Sequence, residues 1–495
     1  MTEFELKFEI PPANLKSVAA AVLDGRVTRQ RLQASYFDTP DGALAACGIV
    51  VRLRKEGRRW VQTAKGPTAD LLERLEHNAA LPPQGAASLP TLDLSRHRAT
   101  PVGKAIDKAL GLQAGATYPQ LDLLYSTDIQ RITRQIAIGN STIEVALDQG
   151  RVFSDGLSLP ICELEIELKE GTPADAVALA LEWCTRHGIW ISTIAKSMKG
   201  QRLRSATPFG EATSAVSAKF SRHASGAEMV TAVIHACMCQ ILPNMSELAA
   251  GSNQPDHVHQ LRVGIRRLRT ALGELGRFTD DLDPAWDAAL VQAFRALGAH
   301  RDKSHLALVL QPQLLDVGGP AVGVDLDDSD TPDPAATVRA ADFQCALLGL
   351  LSFVHREVPK PADKPEALQK SVAKRLDKLR TRALRDGKKF LVLDEAGQHG
   401  VRKRLKRLRY LLEFVEPLFP ARKVRHMATA LKSAQDALGQ YNDELVALHA
   451  LRALAADDPN AWFGVGWLGA RVQPNAKRCL KEIKRFAEIK PFWRG

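Results

Sequence analysis

No uncharged apolar run in the sequence exceeds Phe343 to Val354, which is too short to cross a bilayer as a helix. The opening residues, Met1-Thr2-Glu3-Phe4-Glu5, carry acids and neither a basic nor an apolar segment. No secretory leader is expected, and a cytoplasmic chain is. Gly and Pro (34 and 27 of 495 residues) are not in excess and 45% of residues are hydrophobic, which excludes a disordered polymer and a coiled-coil rod. Cysteine is sparse: seven residues, at 47, 162, 184, 237, 239, 345 and 479, of which only Cys237 and Cys239 are close. No second pair or histidine cluster completes a zinc site, so buried thiols without disulfides are expected. Aromatic residues make up only 6% and are not interleaved with the basic stripes described below, which weighs against a single-strand nucleic-acid reader.

At roughly 100–200 residues per domain, the length implies two or three domains. Charge divides them. Residues 1–210 hold 25 Lys and Arg against 23 Asp and Glu, whereas residues 211–495 hold 42 against 33, a cationic body suited to a polyanion. Up to about residue 205 the pattern alternates as in strands, with turns expected at Gly139-Asn140 and at Asp148-Gln149-Gly150. A polar stretch at 207–221 reads as a linker, and from His223 the period is helical. The expected division is therefore 1–206, linker 207–221, and 222–492. In the helical part His259 to Arg269 recurs as His399 to Arg409, and Leu297-Gly298 to Asp302 recurs as Leu438-Gly439 to Asp443. This is a duplicated bundle, with repeats at about 222–315 and 335–492 around an acidic loop, 316–334, that has six Asp and no Lys or Arg.

In a strand, residues i, i+2 and i+4 share a face. Glu3, Glu5 and Lys7 line up opposite Phe4, Leu6 and Phe8, and Glu163, Glu165, Glu167 and Lys169 line up opposite Leu164, Ile166 and Leu168. Arg52 with Arg54, and Thr63 with Lys65, make basic rows. Glu144 and Asp148 share parity, with Arg131 and Arg134 just upstream. For any one strand, a solvated polar face is the plain reading. Taken together, stacked carboxylates repel, and they make sense where the face closes around a cation and phosphate oxygens.

Glu3-x-Glu5-x-Lys7, Tyr36-Phe37-Asp38-Thr39 with Leu44, Gly48 to Arg54 leading to Trp60, Thr63 and Lys65, and Cys162 to Gly171 resemble, in order, the motifs of the CYTH family, the triphosphate tunnel metalloenzymes. The resemblance implies an eight-stranded antiparallel barrel holding triphosphate and Mg2+ or Mn2+. It implies Glu3, Glu5, Glu163 and Glu165 as metal ligands, with Glu144 and Asp148 as looser matches. Lys7, Arg52, Arg54 and Lys65 would grip phosphate oxygens, with Arg131 and Arg134 beside them. Ala195-Lys196-Ser-Met-Lys199-Gly200-Gln201 resembles the family's closing stretch and adds Lys196 and Lys199, although Ala195, Lys199 and Gln201 replace its Ser, Arg and Tyr. Water, with no covalent nucleophile, would attack the terminal phosphorus.

At about 100° per residue, His259, Arg262, Arg266 and Arg269 form one narrow stripe, with Leu261, Ile265, Leu268 and Leu272 as the core face. His399, Arg402, Lys406 and Arg409 repeat it over Val401, Leu405, Leu408 and Leu412, with Gly400 opening the second helix. A solvated basic face is the plain reading of either helix alone. Like charges at i, i+3 and i, i+4 cost energy unless an anion screens them. These segments resemble the CHAD family across about 222–490, which implies that inorganic polyphosphate binds at those eight residues, with Arg267 and Arg407 off the stripe.

The fold class expected is α+β, a triphosphate-tunnel-like antiparallel barrel followed by an all-α duplicated bundle. The function expected is metal-dependent hydrolysis of inorganic triphosphate, with long polyphosphate held by the helices and possible company of polyphosphate granules in the cytoplasm. The alternatives are a catalytically weak granule-targeting protein, a CYTH enzyme for thiamine triphosphate or of the adenylate cyclase type, and a nucleic-acid binder. No membrane partner is expected.

Overall fold

The computed structural model describes residues 2–82, 89–113, 115–323, 332–358 and 365–494. The backbone divides into two compact units, each assembled from separate stretches of chain. One takes Met1–Thr213 with Leu242–Ser252 and Val338–Arg356, and the other takes Ser214–Ile241, Asn253–Thr337 and Glu357–Gly495.

The first unit contains strands β1 (Thr2–Glu9), β2 (Val27–Asp38), β3 (Val50–Glu56), β4 (Arg59–Pro67), β5 (Glu73–Ala80), β6 (Asp122–Ile138), β7 (Ser141–Ser154), β8 (Leu157–Glu170) and β9 (Trp190–Ile191). They pair in the order β5-β4-β3-β2-β6-β7-β8-β1, and β1 pairs again with β5, closing an eight-stranded antiparallel barrel. Strand β9 adds to β1 outside that circuit. The barrel is inside out relative to a solvated sheet. Phe4, Leu6 and Phe8, with Leu164 and Ile166, are buried on its outer face, and helices α1 (Leu15–Leu23), α2 (Ala43–Ala46), α3 (Pro101–Ala109) and α4 (Pro173–His187) lie against the strands. With the apolar parity turned outward, the charged parity has to face the lumen.

One end of the lumen is apolar. Leu32, Tyr36, Tyr125, Ile129, Val152 and Ile161 pack together there, with Leu203 of helix α5 (Lys196–Ser205) against them. A Cβ at Gly200 would lie 2.2 Å from the Tyr125 ring, so the seat of α5 requires glycine. The hairpin at Gly139-Asn140 joins β6 to β7 as expected. The turn expected at Asp148-Gln149-Gly150 does not form. β7 runs through it to Ser154, and Gly150 allows the Asp128 carbonyl oxygen of β6 to approach within 2.1 Å of where a Cβ would stand.

The remaining helices, in chain order, are α6 (Gly226–Ala249), α7 (Pro255–Leu275), α8 (Ala285–His305), α9 (Gln311–Asp316), α10 (Pro334–Arg339), α11 (Ala341–His355), α12 (Pro365–Gly387), α13 (Glu395–Phe414), α14 (Ala421–Leu454) and α15 (Ala461–Glu488). Contrary to the expectation from sequence, residues 229–246 form a longer uncharged run than Phe343 to Val354, and helix α6, which contains it, is long and apolar enough by length and composition to cross a bilayer. More than half of its most apolar stretch is buried within the protein, as in a core helix. The two copies of the repeat fall on α7–α8 and α13–α14. Leu261, Ile265, Leu268, Val401, Leu405, Leu408 and Leu412 are fully buried as the wheel requires, and Leu272 is half-buried. Gly400 does not open its helix. α13 starts at Glu395, where the Asp394 carboxylate accepts from Gly397 N at 2.8 Å. Of the expected acidic loop, residues 324–331 lie outside the described residues, and its ends are helical, since Asp316 closes α9 and Pro334 opens α10.

Candidate functional site

The lumen holds a cavity of about 820 Å3. Strand register orders its acidic wall into rows. Glu9, Glu163, Asp148 and Arg131 lie directly across successive strands β1, β8, β7 and β6; Lys7 lies opposite Glu165; and Glu5, Glu167 and Glu144 make a third row. Carboxylates so placed repel unless a cation stands between them. In the first row it is Lys196, at the start of α5. Its ammonium contacts Glu163 and lies 2.6 Å from Glu165 and 2.7 Å from Asp148. Arg131 forks onto Asp148 at 2.7 and 2.6 Å and also meets Glu165. Burial alone would raise the Glu165 carboxyl, but Lys196, Arg131 and Lys7 hold it well below the usual range. The same acids hold Lys196 well above its ordinary value against the opposing effect of burial. In the third row, Lys169 lies 2.7 Å from Glu167 and 3.3 Å from Glu144.

Across the lumen, Lys65 bridges Glu3 at 2.5 Å and Glu76 at 2.7 Å. Burial and the hydrogen bond that its carboxyl donates to Glu76 push Glu3 up to about 8, while Glu76 falls below its ordinary value because Glu3, Lys65 and Asn78 outweigh its burial. Arg52 donates to the Tyr36 hydroxyl at 3.5 Å. Arg54, lowered by burial and by Arg52, pairs with Glu56.

Of the residues singled out from the sequence, Glu3, Glu5, Lys7, Arg52, Arg54, Lys65, Arg131, Glu144, Asp148, Glu165 and Lys196 line this one cavity. Glu163 lies buried behind it, under Lys196 and Lys199. Lys199 does not line the cavity, because its ammonium is taken by Glu9 at 2.6 Å and Glu163 at 3.3 Å. Arg134 is not brought in either. It stands three residues from Arg131, on the opposite face of β6, and donates to Ala21 O at 2.9 Å. The lining also includes Tyr36, Glu76, Glu167 and Lys169. Glu167 and Lys169 share the parity of Glu165 and were legible on that ground, whereas Glu76 sits on β5, which has no alternating apolar pattern to announce it. The carboxylate oxygens of Asp148, Glu163 and Glu165 lie within 4.8 Å of one another. An all-oxygen, buried donor set of this kind suits a hard divalent cation.

The second unit brings the two stripes together, because α7 and α13 pack side by side. Arg267, off the stripe, is the buried link: it pairs with Glu413 and lies over the Tyr410 and Phe414 rings at 5.4 and 5.0 Å. Arg266 donates to the Tyr410 hydroxyl at 3.1 Å. Burial, with Arg266 and Arg402, pushes the Lys406 ammonium down to about 6. Arg301 of α8 joins this centre from outside the stripe, 3.3 Å from Asp443. The ends of the stripes are occupied otherwise. Arg262 donates to Phe294 O and stacks 4.2 Å from that ring, Arg269 pairs with Asp287 at 2.7 Å, and Arg409 pairs with Glu413 at 2.6 Å. His259 is exposed, His399 meets Asn442 at 2.8 Å, and Arg407 points to solvent.

The model of the CYTH domain matches residues 1–196 and that of the CHAD domain matches residues 232–452. An inorganic triphosphatase of Haemophilus influenzae is 28% identical over 176 residues, 34% of this chain and 45% of that protein, so the chain spans less than half of this relative's length. Among solved structures, the CHAD domain of the plant Ricinus communis is 25% identical with a TM-score of 0.46, covering 57% of this chain and 98% of that one. A Hippeastrum protein named for adenylyl cyclase and described by a dominant triphosphatase activity is 17% identical with a TM-score of 0.30, covering 41% and 96%. The chain is therefore a member of the CYTH family over residues 1–196 and of the CHAD family over residues 232–452.

Proposed function

We propose that the barrel hydrolyses inorganic triphosphate to diphosphate and phosphate with Mg2+ or Mn2+, and that the helical unit binds long-chain polyphosphate. The observation that carries the first part is the single lumen in which Arg52, Arg54, Lys65, Arg131 and Lys7 face carboxylates across about 820 Å3. Those cations would hold the phosphoryl oxygens by charge-assisted hydrogen bonds and stabilise the charge that develops there as water attacks the terminal phosphorus. Asp148, Glu163 and Glu165, with Glu3, Glu5 and Glu144 as further candidates, are the residues that would hold a divalent ion, and such an ion supplies charge neutralisation of the phosphate chain. Arg52 keeps Tyr36 hydrogen-bonded in the buried end of the lumen, where the apolar packing excludes bulk water. The second part is supported by the convergence of Arg266, Arg301, Arg402 and Lys406 in one place. Both sites would act in the cytoplasm.

The test is phosphate release by the whole chain from triphosphate, ATP, thiamine triphosphate and long polyphosphate, with Mg2+, with Mn2+ and with chelator. The whole chain is needed because residues 242–252 and 338–356 belong to the barrel's unit. Fastest release from triphosphate, lost on chelation, is expected. Pyrophosphate and a cyclic product from ATP would identify a cyclase instead. The seat that Lys196 takes among the three carboxylates favours a second reading, a polyphosphate-binding protein with little turnover. Absence of release from every substrate would select it.

A further inference from the structure

Cations from both repeats of the second unit meet at one carboxylate. Asp443, on α14, lies 3.3 Å from Arg301 of α8 and 3.9 Å from Arg402 of α13, and its charge also acts on Lys406 and His305. The helix that carries it is fixed on either side of this position. The Tyr441 hydroxyl donates to Gln398 at 2.8 Å, and Asn442 meets His399 at 2.8 Å. The backbone is thus held, while the half-buried carboxylate can turn away by a change of its own rotamer, releasing a long hydrogen bond of 3.5 Å from Asn442 Nδ2.

One carboxylate is too little for its surroundings. Arg301, Arg402 and Lys406 stand around it, with Arg266 beside the last two; burial, together with Arg266 and Arg402, lowers the Lys406 ammonium, and the buried Nε–H of Arg402 has no acceptor among the described residues. Two arginines from different repeats share the two oxygens of Asp443 at long range, without the bidentate fork that either would make with an anion of its own. A phosphate chain brings about one charge and two free oxygens at each phosphorus, which satisfies all of these donors together. Its first oxyanion would have to go where the carboxylate now stands. The corresponding acid of the first repeat differs. Asp302 pairs with its chain neighbour Arg301 at 3.0 Å and is more exposed than Asp443.

We propose that Asp443 is a built-in competitor: a tethered carboxylate that occupies the seat between Arg301 and Arg402 and is displaced when a phosphate chain binds. It sets a threshold that a short or weakly charged anion fails to meet and a long chain overcomes. The inference rests on the polyphosphate reading of this unit and concerns how that site is regulated.

The experiment is calorimetric titration of the full chain and its Asp443→Asn variant with long-chain inorganic polyphosphate at several salt concentrations. The variant is expected to bind about five- to tenfold more tightly, a coupling of ordinary size, and to show a salt dependence steeper by about one released counterion. Equal or weaker binding by the variant would overturn the inference and make Asp443 a clasp that positions the arginines. Asp302→Asn is expected to change affinity less than Asp443→Asn, and a larger effect would count against the proposal. If the Asn variant melts early, Asp443→Ser decides by the same criteria. A wild-type chain that binds no polyphosphate contradicts the reading of the unit itself, whereas a wild type that binds beside a variant that binds no better contradicts only the competitor.

Discussion

Lys196 holds the acidic wall of the barrel together, because its ammonium is the cation shared by Asp148, Glu163 and Glu165. Removing one partner of a buried ion cluster leaves the others unpaired, at a cost of about 3 kcal/mol or more. Lys196→Ala is therefore expected to lower the melting temperature of the metal-free chain substantially, and added Mn2+ is expected to recover part of the loss by taking the vacated seat. A variant that melts like the wild type, or one that Mn2+ leaves unmoved, would show that the three carboxylates do not form a cation site. At this scale, parity in the sequence was a good guide wherever apolar neighbours marked the strand. Glu3, Glu5 and Lys7 face inward because Phe4, Leu6 and Phe8 face out. It failed where two charges were grouped by proximity alone. Arg131 and Arg134 are an odd number of residues apart, so a strand must send them to opposite faces. Nor does sequence reveal local neutralisation: Asp287 and Glu413 take up Arg269 and Arg409, and neither acid announces its partner.

Helix α5 is the element that sets the depth of the lumen. It presents Lys196 to the acids from its first turn and seats Gly200 against Tyr125. Its N-cap is Ala195, which makes no side-chain capping bond. Serine there would accept from a first-turn N–H, so Ala195→Ser is expected to stabilise the chain by about 1 kcal/mol, read as a higher midpoint in urea at unchanged slope. No shift or a lower midpoint would mean that the free N–H groups of this turn are already satisfied. The barrel strands and amphipathic helices α7 and α13 were legible from period alone. Other features depended on contacts far along the chain. The continuity of β7 through Asp148 to Gly150 depends on its pairing with β6 and β8, and the early start of α13 depends on the Asp394 cap rather than on the stripe.

The whole molecule carries two cation-lined sites, one on each compact unit, and under the proposed function linkage of two such sites would raise the local concentration of a shared ligand. Lys406 is expected to make the proposed helical site sensitive to pH. It faces Arg266 on α7, Arg301 on α8, Arg402 on α13 and Asp443 on α14, with His259 near, and burial with these guanidiniums puts it at about 6 in the free chain. Under the proposed function, bound polyphosphate would favour the ammonium, so above pH 6 binding would take up a proton. Affinity is then expected to fall as pH rises from 6 to 8, by at most about tenfold per unit for one proton. Lys406→Arg should flatten the profile, and a wild-type affinity independent of pH would remove Lys406 from the site. The assignment of charges to the two units was visible in composition, but the recruitment of residues 242–252 and 338–356 into the first unit was not, because no local pattern records which unit a buried helix joins.

The most direct test of the account compares steady-state phosphate release from triphosphate by Arg131→Ala and Arg134→Ala, with melting curves to confirm that both variants are folded. The account predicts a loss of about 100-fold or more for Arg131, whose guanidinium faces the lumen, and a change of no more than about threefold for Arg134 on the outer face of the same strand. Equal losses, or the larger loss at Arg134, would contradict it.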